Sequence, residues 1–144
     1  MKTIALFSVL GCILLAACNT PKKAASATGE AALAGNWELD FISGPRITFD
    51  GLYPNRKPTI SFDIAAKRVS GNTSCNSYNG PYTIDGNNIS FTQPMGVTKM
   101  MCEDIQGEAT FLETLKKINR FDVVDGKTLN MIMGDIAMMR FVRK

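Results

Sequence analysis

The strongest constraint in this chain is a period of two. Trp37, Leu39 and Phe41 alternate with Glu38 and Asp40, Ile60, Phe62 and Ile64 with Ser61 and Asp63, and Tyr82 and Ile84 with Thr83 and Asp85. Ile89-Ser90-Phe91 resumes the pattern beyond the turn sequence Asp85-Gly86-Asn87-Asn88. Phe121 and Val123 lead into Asp125-Gly126, a hairpin signal, and Leu129, Met131 and Met133 follow before Gly134-Asp135 and residues 136–142. Successive side chains of a strand point to opposite faces, so each segment has one face to bury and one to leave in water. The short turns between them favour antiparallel pairing, and the pattern predicts about seven short strands in a largely antiparallel sheet.

One segment has a different period. Phe111, Leu112, Leu115 and Ile118 recur at helical spacing. Glu103, Asp104 and Glu108 stand toward its start, and Lys116, Lys117 and Arg120 toward its end. That order complements a helix dipole. The predicted class is therefore α+β, mainly β, with a single amphipathic helix placed late in the meander to cap one face or mouth of the sheet.

The N-terminus reads as an export signal over residues 1–17. Lys2 supplies the positive start, and residues 4–17 form an apolar run shorter than the ~20 needed to span a bilayer. Leu15-Ala16-Ala17-Cys18 is a small-residue cleavage site followed by cysteine, and it resembles the bacterial lipobox, in which the thiol receives a diacylglycerol. Several acyl groups anchor firmly where one does not. Cys18 is the expected lipidation site, and Cys12 leaves with the signal. Residues 18–33, poor in large apolar groups, are expected to be a flexible linker, and residues 34–144 the folded domain. The chain of 144 residues has room for one domain.

Composition narrows function mainly by exclusion. A net charge of +3 is too weak to point to nucleic acid. There is no histidine, which removes Ser-His and Cys-His catalysis and the commonest zinc ligand.

The most distinctive stretch spans residues 69–82 and contains Gly71, Cys75, Asn76, Tyr78, Gly80 and Tyr82. It is followed by Thr98, Met100 and Cys102, and then by Glu108, Phe111, Leu112 and Leu115 on the predicted helix. Together with Gly35, Trp37 and Leu39 near the start, these residues resemble the META domain, the family of the heat-shock lipoprotein HslJ. The resemblance covers essentially the whole folded part; residues 47–58 make a longer connection than the pattern leads one to expect. It implies a small antiparallel sheet curled into a partial barrel with one helix. It also implies an envelope protein linked to stress tolerance rather than catalysis, similar to the pilotins that chaperone an outer-membrane partner through an apolar groove.

Cys75 and Cys102 are the cysteines left in the folded part. An oxidising compartment favours pairing them, which would close a loop of about 28 residues for roughly 3.5 kcal/mol. A redox or metal pair is the alternative, but the Cys-x-x-Cys spacing is absent. The methionines beyond Met1 fall between Met95 and Met139. They can fill a core or act as soft ligands and oxidant targets, with Met100-Met101 the pair in an irregular segment. Asp40, Asp63 and Asp85 lie on polar strand faces, and Glu103-Asp104 fits a helix start better than a catalytic pair.

The expected function is a non-enzymatic lipoprotein without metal or cofactor. It would be anchored to the outer membrane on its periplasmic face, bind an unknown envelope protein and support stress tolerance. The candidate surface is Gly71, Asn76, Tyr78, Gly80 and Tyr82 with Thr98 and Met100. The alternative is a carrier or pilotin-like chaperone with an apolar groove for a lipid tail or peptide. A continuous internal cavity of about 300 Å³ or more would favour the carrier, and a filled core the binding module.

Overall fold

The computed structural model describes residues 26–27, 29–102 and 105–144. The expected signal, Cys18 and most of the expected linker lie outside the described residues, as do Glu103 and Asp104. Among the described residues no helix is long and apolar enough to cross a membrane.

In chain order the elements are β1 (Ser26–Ala27), a 3-10 helix (Glu30–Leu33), β2 (Gly35–Ile42), α1 (Phe49–Leu52), β3 (Thr59–Asp63), β4 (Arg68–Asn72) and β5 (Ser77–Pro81). Then come β6 (Thr83–Asp85), β7 (Asn88–Ser90), β8 (Gly96–Val97), α2 (Ile105–Lys117), β9 (Arg120–Val124), β10 (Thr128–Met133) and β11 (Ile136–Arg143). The strands form one sheet in the order β6-β7-β9-β10-β11-β2-β3-β4-β5-β8, with β1 beside β9. The pairing is antiparallel, as the alternation predicts.

The sheet curls for a covalent reason. β6 ends the order on one side and β5 lies next to the opposite end, yet Tyr82 alone separates them in sequence. The two ends must therefore come together, which produces the expected partial barrel. Tyr82 sits at this seam and is buried. Its backbone N–H donates to the Lys67 carbonyl at 3.1 Å. Its ring meets Phe62 edge-on at 5.5 Å and Phe91 at 6.5 Å.

Helix α2 fills the concave side. Phe111 places its ring 5.4 Å from Tyr78 of β5 and 6.4 Å from Phe141 of β11. Three strands separate β5 from β11 in the sheet, so one side chain reaches both only inside the curl. Trp37, Leu39, Ile60, Phe91, Phe121, Val123, Leu129 and Met131 complete a core without solvent exposure.

The period of two slips once in β2. Trp37 and Leu39 point inward, but Phe41 is 41% exposed and Ile42 is buried in its place. The register explains this: Phe141 pairs with Leu39, Arg140 with Phe41 and Met139 with Ile42, so Asp40 is an extra residue in the ladder. A bulge of this kind moves all later side chains to the other face. Outside the barrel Arg140 bridges both displaced residues, donating to the Asp40 carboxylate at 3.0 and 3.1 Å and lying 5.6 Å over the Phe41 ring.

The ordered body also begins before residue 34. Leu33 is fully buried, and its carbonyl accepts the Trp37 indole N–H at 2.8 Å. Glu30 accepts from the Tyr82 hydroxyl at 2.6 Å and pairs with Lys67. The last turn of the segment expected to be linker is thereby part of the fold. Two anchoring residues in an alanine-rich stretch are too weak a pattern to read.

These contacts give two measurable expectations. Tyr82→Ala should lower stability by roughly 3–5 kcal/mol in urea unfolding, and Tyr82→Phe, which loses one hydrogen bond, by about 1 kcal/mol. The Lys67 hydrogen bond and then that of Tyr82 hold the Glu30 carboxyl below its ordinary value of 4.5. A depressed folded-state value stabilises above the unfolded value and is lost as pH falls through the folded one. The advantage of the native chain over Glu30→Gln should thus be flat near neutrality and shrink below about pH 4.5.

Candidate functional site

The region singled out in the sequence folds into a polar knot beside an apolar groove. Its centre is Asn76, 4% exposed, in the turn between β4 and β5. The Asn76 side-chain oxygen accepts from the Thr98 hydroxyl at 2.8 Å and from the Met100 N–H at 2.7 Å. Its side-chain N–H donates to Glu108 Oε1 at 3.2 Å, and its backbone N–H to Glu108 Oε2 at 3.2 Å. The Thr73 hydroxyl donates to the same Glu108 oxygen, lies within hydrogen-bond reach of the Asn76 carbonyl, and accepts from the Asn76 backbone N–H. One asparagine thus joins the β4–β5 turn, the loop after β8 and the first turns of α2. Both Glu108 oxygens are taken up in these bonds.

Cys75 and Cys102 are brought to disulfide distance beside this knot, with Cα atoms 6.1 Å apart. The loop that carries Met100 and Met101 is therefore held at both ends, by Asn76 at Thr98 and Met100 and by the cysteine pair at Cys102.

Much of the expected surface is buried, and the reading needs correction. Tyr78 is 2% exposed, its hydroxyl donates to the Thr59 carbonyl at 2.9 Å, and burial pushes its pKa up. Tyr82 closes the barrel seam. Gly71 faces Tyr78 across the strand pair, and a Cβ there would lie 2.0 Å from the Thr59 carbonyl oxygen. A Cβ on Gly80 would lie 2.7 Å from Met95. These residues and Asn76 are scaffold. Of the seven expected, only Thr98 and Met100 are exposed, and the Thr98 hydroxyl is engaged with Asn76.

What this scaffold presents is a groove of about 470 Å³ between the loop after β8 and one stripe of α2. Val97, Met100 and Met101 form one wall; Ile105 and Leu112 form the other. Met100 is 60% exposed, Ile105 73%, and Met101 fully exposed. Met131 and Met139, by contrast, are fully buried and fill the core. Helical periodicity placed Leu112 in the core with Phe111 and Leu115; it is half-buried and belongs to the groove.

Two contributions escaped the sequence reading. The long connection of residues 47–58 folds over the start of α2: a Cβ on Gly107 would lie 2.4 Å from the Leu52 carbonyl, and the Tyr53 hydroxyl donates to the Gly107 carbonyl at 3.1 Å. A glycine within a helical pattern was the available signal. The pairing of Glu108 with Asn76 carried none, because it joins residues far apart in the chain. No group of three or more metal-ligating carboxylates, cysteines or histidines occurs among the described residues.

Replacing Asn76 by alanine should strand several buried donors and acceptors and lower stability by about 2–3 kcal/mol in chemical denaturation. Removing the cysteine pair as Cys75→Ser with Cys102→Ser should cost about 3 kcal/mol with no change in secondary-structure content by circular dichroism.

Comparison with known proteins agrees with this architecture. No curated protein matches the chain. A protein from Burkholderia xenovorans with a structure determined by NMR is similar in fold, with a TM-score of 0.61 at 21% identity over 88% of this chain and 96% of that one. The model of the META domain matches residues 31–144, spanning the barrel, the helix, the knot and the groove, and the chain belongs to the META-domain family.

Proposed function

We propose that the mature protein is a non-enzymatic lipoprotein, held by acylated Cys18 at the periplasmic face of the outer membrane. In this reading its META domain docks a partner protein of the envelope and supports envelope integrity under stress. The observation that carries the reading is the exposure of Met100, Met101 and Ile105 around a groove whose walls are pinned by Asn76 and the cysteine pair. Apolar side chains ordinarily avoid such exposure, and a clustered patch on a rigid support is the usual form of a docking surface.

The filled core favours docking over internal carriage. The barrel interior is occupied by Trp37, Phe91, Phe111, Phe121 and Phe141, each fully or almost fully buried. The groove is apolar and large enough for a lipid tail, which keeps the carrier or pilotin-like role as the second reading. Catalysis has little support. Among the described residues the groups with displaced protonation equilibria, Glu30, Tyr78 and Tyr82, are engaged in structural hydrogen bonds.

A photoreactive residue at position 101 in intact cells should yield a discrete adduct with an envelope protein. Adducts with lipid alone would favour the carrier, and no adduct would end the docking reading. Cys18→Ala should move the chain from the membrane to the soluble fraction; retention of that variant in the membrane would end the anchor assignment.

A further inference from the structure

Surface cavities on one side of the domain connect through shared residues. A cavity of about 370 Å³ beside Arg56 and Lys57 shares Tyr53 and Pro54 with one of about 290 Å³. That cavity shares Cys75 and Cys102 with the Met100–Ile105 groove of about 470 Å³. The groove in turn shares Val97 and Leu112 with a cavity of about 400 Å³ that reaches Lys116. They lie in a row, with Arg56 and Lys57 at one end, Lys116 at the other, and the exposed Lys99 beside the apolar side chains of the groove between them.

We propose that this row of cavities binds an extended acidic segment of another protein, with apolar side chains among its carboxylates, which adds as a strand to the free edge of β8. The inference rests on the docking reading above and names the chemistry of the partner. Charge supports an acidic partner. Arg56, Lys57, Lys99 and Lys116 are exposed and form no ion pair among the described residues. Asp50 is the one carboxylate lining the Arg56 end, and Glu108 in the middle is occupied by Asn76 and Thr73.

The sheet edge supports a polypeptide over a lipid. Among the described residues β8 ends the strand order and pairs only with β5, and it bears Val97, which lines two of the cavities. An unpaired edge offers N–H and C=O groups that an added strand satisfies and an acyl chain cannot.

The test uses the full-length lipidated chain in neutral detergent micelles and fluorescence anisotropy of a short labelled peptide with central valines and glutamates at both ends. The peptide should bind, and its counterpart with lysine in place of glutamate should bind at least about tenfold more weakly. Arg56→Glu with Lys116→Glu should weaken the acidic peptide about tenfold, and added salt should do likewise. Methylating alternate backbone nitrogens of the peptide, which leaves the protein untouched, should weaken it at least about tenfold. Equal binding of the two charge forms, undiminished binding of the methylated peptide, or binding of labelled phosphatidylglycerol with no binding of the peptide would each overturn the proposal. If position 101 captures an envelope protein in cells while the acidic peptide fails, this inference falls and the docking reading stands. If no protein is captured, the reading beneath both falls.

Discussion

The structure depends on a covalent constraint: one residue, Tyr82, joins strands from opposite ends of the sheet order. A flat sheet cannot satisfy that connection, so the strands curl until their ends meet. The curl creates the concave space that α2 fills with Phe111 and that Trp37, Phe121 and Phe141 line. The residue at the seam must therefore be large, to bridge Phe62 and Phe91, and must satisfy its hydroxyl, which Glu30 does. Burial and the Glu30 partner both push the Tyr82 pKa up, so the hydroxyl stays a donor across the physiological range.

Closure at Tyr82 also sets what stays open. β5 turns into β6, and the short β8 is left to extend the sheet from β5 toward the helix. The segment after β8 then has to pass over the start of α2. Asn76 meets the Met100 N–H, the Met100 carbonyl and the Thr98 hydroxyl with one side chain, which can accept and donate at once. With the polar demands of the loop met from beneath, its methionines are free to project outward. A rigid polar base under a soft apolar rim suits adaptable contact, since methionine side chains reshape readily.

Legibility in the sequence followed the range of the interaction. Seven of the eleven strands, their hairpins and the long helix announced themselves through periodicity and turn residues, which are local; β1, β4, β5 and β8 did not, and β4 and β5 lie in the stretch dense in turn formers. The distinctive motif residues were visible too, but their role was misassigned: Tyr78 and Gly71 are partners in a backbone close approach, and Tyr82 is a seam. A tyrosine amid turn formers looks like a surface residue until its neighbours across the strands are known. The bulge at Asp40 was invisible because it depends on the register chosen by β11, about a hundred positions away.

The sequence by itself determined the antiparallel β-rich class, the one long helix, the two cysteines available to pair and the family resemblance, because alternation, turn chemistry and motif spacing are properties of neighbouring residues. Only the tertiary structure decided which of the motif residues face solvent, that Glu108 closes on Asn76, and that Val97, Met100, Met101, Ile105 and Leu112 line one groove. Those outcomes arise when the sheet curls and brings distant segments together, and no local pattern encodes the distance between residues that meet only after closure.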